Sequence, residues 1–339
     1  MSKAKQEIRG KYQSKRRSKK WKKRKKENKN RKVQGINTNS LESKPTSDHK
    51  APKIFSFINN TEEVLEYFIS AEKLFKKKIK LNLNIDEIEV LTSDAIALLV
   101  ASINDVEFHH NSGYVGDAPK KPELKKMFKE SGFYKFVKSK GLNEVRDGNL
   151  LHKEVNIKVK PSIAMKSAQI GIKYTFESDE QYEPLYNILI ELMSNTNNHA
   201  SKKDGSHCKW WLYVFTDPKT KNTSYTFLDL GVGIFDSMAD KGYFSKLYKK
   251  LPIFGDKKVV EDLLSGRLQS RSDLDNEIRG KGIPQILEYS KLNEFKEFYI
   301  ITNKVKINLK NHQFHFLHHN FSGTMIHWEI QKVGDYGNS

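Results

Sequence analysis

Glu191, Asn195 and His199 recur every four residues in the stretch 182–200, YEPLYNILIELMSNTNNHA. On a helix that spacing lines them along one face. Leu185, Ile188, Leu189 and Leu192 recur at helical spacing as well and mark the face that packs into a core. At about 100° per residue, the polar row then sits at the edge of the buried stripe. A carboxylate and an amide oxygen one turn apart suit a hydrated Mg²⁺ ion and a water to be activated. Taken alone, the same row also describes an ordinary solvated helix face.

Two later stretches narrow the chemistry. Residues 227–234, FLDLGVGI, read as a buried strand running into Asp229, followed by a turn that needs glycine at Gly231 and Gly233. Residues 279–284, RGKGIP, form a second glycine turn, with Gly280 and Gly282, opening an apolar helix-like run. Glycines in such turns let backbone N–H groups close on phosphates at a helix N-terminus. In chain order the motifs are E-x3-N-x3-H, D-x-G-x-G, G-x-G, and then Gly323-Thr324 before a last strand. In that order they resemble the GHKL ATPases, the superfamily of gyrase, heat-shock chaperone, histidine kinase and mismatch-repair ATP-binding domains. The resemblance covers residues 163–333.

The resemblance implies ATP and Mg²⁺ as ligands and an α/β (α+β) fold, a two-layer sandwich with a mixed sheet. It places Asn195 on the Mg²⁺ that bridges the phosphates and Glu191 on the attacking water, as the catalytic group. His199 falls where some relatives keep a basic or polar residue near the phosphates; hydrogen bonding at the helix end is the other reading. Asp229 would accept a hydrogen bond from the adenine exocyclic amine, which guanine cannot supply at that position. Thr324 resembles the residue that reaches adenine through water. Gly231, Gly233, Gly280 and Gly282 shape the pocket, and Arg271, Arg279 and Lys281 are the local cations that could offset phosphate charge.

The elements that must hold these residues can be read coarsely. Residues 210–215 and 225–229 read as strands, and residues 298–303, 305–309, 313–317 and 324–330 as four more. The interval 235–279 corresponds to the mobile lid of GHKL relatives, with helix-like pieces near 243–251 and 258–264. Four histidines, His312, His315, His318 and His319, fall on the late strands. Strand alternation splits them between faces, so no metal site is expected there.

Upstream, strands at 54–58, 79–83 and 113–116 alternate with helices at 62–75, 92–103 and 122–131. This order, with LNLN at 81–84, LTSD at 91–94 and KESGF at 129–133, resembles a STAS domain over residues 51–140. That module belongs to sulfate transporters and anti-sigma-factor antagonists, and it implies a protein partner. In the family a serine opening the second helix can be phosphorylated; Ser93 is the nearest position, although Ala95 stands where glycine is common. The alternative is that Thr92 and Ser93 cap a helix. Residues 141–162 are polar, with Gly141, Gly148 and Pro161, and read as the connection to the ATP-binding half.

The charge is unevenly placed. Of 60 Lys and Arg, 19 lie in residues 1–50, against 4 of the 41 Asp and Glu. That segment has almost no aliphatic residues and reads as a disordered basic tail. It is suited to non-specific phosphate contact with nucleic acid, with Trp21 available for stacking. A single cysteine, Cys208, excludes an intrachain disulfide framework and is expected to be a small buried residue beside the strand at 209–215. No window is apolar enough to span a membrane or to serve as a signal segment, so the expected compartment is the cytoplasm. These readings converge on a nucleotide-dependent regulator of protein partners, by ATP hydrolysis or by serine phosphorylation. The rival is a nucleic-acid-associated GHKL ATPase, a defence or repair factor. A sensor histidine kinase is not expected, because no helical hairpin precedes the ATPase motifs.

Overall fold

The computed structural model describes residues 46–139, 144–154, 159–199, 209–239, 254–264 and 282–333. Residues 1–45 of the expected tail at 1–50, Cys208, Arg271, Arg279, Gly280, Lys281 and the helix-like piece at 243–251 lie outside them. The described residues make an α+β protein of helices and several sheets.

The N-terminal part contains β1 (Ser47–Lys50), β2 (Ile54–Phe55), α1 (Thr61–Lys76), β3 (Leu81–Asn84) and β4 (Val90–Leu91). It continues through α2 (Ser93–Ile103), α3 (Val106–His109), β5 (Tyr114–Gly116) and α4 (Pro122–Glu130). Strands β1, β3 and β5 form a parallel sheet in the order β1-β3-β5, and β2 pairs with β4. The expected tail therefore ends earlier than its composition suggests, since Ser47–Lys50 is a strand on β3. In α1, Val64, Leu65, Phe68, Ala71 and Phe75 face the core, while Glu62 and Glu63 open the helix and Lys73 and Lys76 close it, matching its dipole. Helix α4 starts at Pro122 and stops before Gly132, whose φ of +86° an ordinary residue resists.

The C-terminal part contains β6 (Leu150–Glu154), α5 (Pro161–Gly171), α6 (Glu183–His199), β7 (Trp210–Thr216) and β8 (Thr223–Asp229). Then come α7 (Ile234–Ala239), α8 (Phe254–Leu264), α9 (Gly282–Ser290), β9 (Phe295–Asn308) and β10 (Gln313–Ile330). The sheet order is β6-β7-β8-β10-β9. All described pairings in it are antiparallel, which corrects the expected mixed sheet. The connections explain it: β7 to β8 and β9 to β10 are short hairpin links, whereas a parallel pair needs a long crossover. Strand β6 lies inside the polar stretch 141–162 and pairs with β7 as an edge strand. Only one face of such a strand needs apolar residues, so composition conceals it. The late strands form two long ones rather than four. Strand β9 turns at Asn303, where φ is +50°, and Leu309 N–H then donates to Phe298 C=O at 2.8 Å.

Both faces of this sheet are buried. Trp210, Leu212, Val214, Tyr225, Phe227, Ile326 and Trp328 pack under helices α5, α6 and α9. On that face Phe298, Trp328 and Tyr225 stack across three neighbouring strands, with ring centroids 5.6 and 5.0 Å apart. Trp211, Tyr213, Leu228, Ile301 and Met325 alternate to the other face, where they share a core with α1, α2 and the N-terminal strands. Every residue of α2 is consequently buried. The described residues from Thr46 onward thus pack as one unit. Ser93 does not cap α2; its hydroxyl is buried against that of Ser224 on β8, at 2.9 Å. Asp94 accepts the Phe57 and Ile58 amides at 2.5 and 3.0 Å, and Phe57 packs edge-on against Phe321 of β10. Lys306 donates to the Ile58 carbonyl. His318 and His319 meet Glu62 and Glu66 of α1 at 3.1 and 2.8 Å.

A shared core predicts shared unfolding. Denaturant titration followed by tryptophan fluorescence and by far-UV circular dichroism should give one coincident transition for the two halves. Leu228→Ala, which opens a cavity between the sheet and α2, should lower stability by about 2–5 kcal/mol. Two separated transitions would contradict the single core.

Candidate functional site

Helix α6 is held by its apolar face, where Leu185, Ile188, Leu189, Leu192 and Met193 are buried. Its outer side is tied to α9 through Tyr289, whose hydroxyl accepts from Asn187 Nδ2 at 2.9 Å and from Gln285 Nε2 at 2.8 Å. With the helix fixed in this way, Glu191 and Asn195 are half-buried at the edge of the core, one turn apart. Burial pushes the Glu191 carboxyl above its usual range, and no described residue forms a hydrogen bond or ion pair with it. The backbone of His199 closes the helix, and its side chain lies outside the described residues.

Thr196, next to Asn195, turns inward and reaches Asp229 at the end of β8, with Oγ1 3.5 Å from Oδ2. Asp229 is 5% exposed. Its other carboxylate oxygen accepts the Gly231 amide at 2.9 Å. These bonds do not offset the loss of water: burial pushes the Asp229 carboxyl up to about 7. Strand register explains the convergence, because Asp229 lies directly opposite Thr324 on β10 and Trp210 on β7. The preceding residue must be glycine. A Cβ at Gly323, φ +139°, would stand 2.2 Å from the Asp229 carbonyl oxygen.

The structure thus brings together Asp229, Gly231, Gly233, Thr324 and the helix carrying Glu191 and Asn195. It also adds three residues that the sequence did not single out: Thr196, Thr302 and Asn303. Thr302 Oγ1 is 3.3 Å from Thr324 Oγ1 and donates to the Gly323 carbonyl at 2.9 Å. The one sequence signal for Asn303 is a turn-favouring asparagine between two apolar strand runs.

In and just after the first glycine loop, three amides have partners within the protein: Gly231 N–H is taken by Asp229, Ile234 N–H by Thr302 and Phe235 N–H by Asn303. Of the second glycine turn, Gly282 is the first residue of α9. Arg279, Gly280 and Lys281 lie outside the described residues. Among the described residues, no group of three or more His, Cys, Asp or Glu could hold a metal ion. Asn195, half-buried at the edge of α6, offers an amide oxygen, a hard ligand of the kind Mg²⁺ takes.

The raised Asp229 carboxyl has a definite pH signature. It holds its proton to about pH 7 when folded and to about pH 4 when unfolded, so the folded state binds more protons in between. The contribution of this group to stability without ligand should therefore be full below about pH 4 and decline as pH rises to about 7, by on the order of 4 kcal/mol. Asp229→Asn should flatten that slope, and parallel pH–stability curves for the two proteins would contradict the shift.

No protein-family model matches the chain, and no curated protein matches it. What the site does is therefore argued from its geometry.

Proposed function

We propose that the chain binds ATP with Mg²⁺ in the manner of a GHKL ATPase and uses it to regulate protein partners, with slow hydrolysis. The observation that carries this reading is the buried Asp229, approached by Thr196 from α6, by Gly231 from the glycine loop and by Thr324 from β10. A buried carboxylate without a countercharge is costly, and an amine donor from a base would repay part of that cost. Guanine offers a carbonyl at that position, which an ionised carboxylate cannot bond.

Asn195 is the residue that would hold Mg²⁺, an ion that supplies positive charge to the phosphates. Glu191, at the same helix edge and raised by burial, is suited to take a proton from an attacking water near neutral pH. Ser93 is not a reachable phosphate acceptor in this arrangement, since it is buried under the sheet. Water, or a serine on another chain, is the acceptor the reading leaves. A nucleic-acid-associated ATPase is the second reading, favoured by the concentration of 19 Lys and Arg in residues 1–50.

Calorimetry with ATP and GTP tests the first reading. ATP should bind more tightly, Asp229→Ala should weaken it by about tenfold or more, and binding below pH 7 should release a proton as Asp229 ionises. Equal affinity for the two nucleotides would remove Asp229 from base recognition. Glu191→Gln should keep binding and lose turnover by about 10²–10⁴, whereas Asn195→Ala should lose Mg²⁺-dependent binding itself; single-turnover phosphate release separates the two. For the second reading, deleting residues 1–45 should abolish salt-sensitive affinity for RNA or DNA and leave ATP affinity unchanged.

A further inference from the structure

We propose that Asn303 is a positioning residue that presets the glycine loop after Asp229, so that Asp229 is presented to a base before any ligand arrives. The proposal rests on the nucleotide reading above and assigns it a residue outside the four sequence motifs. Helix α7 begins immediately after Gly233, and its first amides need acceptors. A local cap would come from the residue before the helix, but that residue is glycine and has no side chain. The acceptors come from β9 instead, 68 residues further along. Ile234 N–H donates to Thr302 Oγ1 at 2.9 Å, and Phe235 N–H donates to Asn303 Oδ1 at 3.0 Å.

Asn303 also holds the other side of the loop, because its Nδ2 donates to the Val232 carbonyl at 2.9 Å. One side-chain amide therefore spans Gly233, with a bond to the residue before it and a bond to the second residue after it. The fit is tight: a Cβ on Gly233, φ +86°, would lie 2.5 Å from Asn303 Oδ1. Asn303 itself sits at φ +50°, a conformation asparagine tolerates better than most residues. Beside it, the Thr302 hydroxyl links the loop to the Gly323 carbonyl, so β9 grips the chain on both sides of Asp229. Asn303 is 3% exposed and uses its acceptor and a donor within the protein, so it acts through the loop and does not touch ligand.

The test compares Asn303→Gly and Asn303→Asp in the full chain. Glycine keeps the left-handed backbone and removes both side-chain bonds; aspartate keeps the acceptor for Phe235 and loses the donor to Val232. Hydrogen exchange of the nucleotide-free protein and calorimetry with ATP and with adenosine are the readouts. In Asn303→Gly, Phe235 and Ile234 should exchange about tenfold faster relative to the amides of β8, and affinity for both ligands should fall about tenfold. Asn303→Asp should recover Phe235 protection and lie between the two in affinity, and it carries the test should the glycine variant fail to fold. A glycine variant that melts lower but keeps the loop-to-strand exchange ratio and the affinity overturns the proposal, leaving Asn303 a packing residue. Failure of the unmutated protein to bind ATP or adenosine overturns the nucleotide reading and the base-presenting role with it. The exchange data then decide separately whether Asn303 holds the loop.

Discussion

The rest of the fold depends on a five-stranded sheet that is apolar on both faces. A strand such as Trp210–Thr216 alternates its side chains strictly, and here both alternating sets are large and buried. Water cannot be left on either side, so two layers of cover are required. Helices α5, α6 and α9 supply one and the N-terminal strands and helices the other. This explains why α2 has no solvent-facing side, and why a serine at its start meets a serine of β8 and not water.

The candidate site exploits one end of that sheet. At the end of β8 the chain leaves the ladder, which frees a carboxylate, and the neighbouring strand ends its own irregular stretch at Gly323. Pairing register sets Asp229 beside Thr324, and the packed helix delivers Thr196 from above. Among the described residues the carboxyl meets hydrogen-bond donors but no cation, and burial pushes it up. Such a group is costly in an empty protein and becomes useful when a hydrogen-bond donor of the right shape arrives.

The glycine loop is shaped by contacts within the protein. Its glycines are needed for close approach, but of protein to protein: Asn303 against Gly233, and the Asp229 backbone against Gly323. Three amides in and just after it, those of Gly231, Ile234 and Phe235, are bonded within the protein.

By itself the sequence determined most of the element types and singled out several of the residues that converge, Asp229, Gly231, Gly233 and Thr324 among them. The apolar period of α6, the buried run into Asp229 and the breaks at Gly132 and Gly233 are local properties, written in spacing and backbone preference. Tertiary structure alone decided what touches what. The edge strand Leu150–Glu154 stayed hidden because its polarity resembles a connection until β7 is placed beside it. The burial of Ser93 and the roles of Thr196, Thr302 and Asn303 share that cause. Each depends on a partner tens of residues away, and no local pattern encodes the distance between chain segments that only packing of the whole sheet brings together.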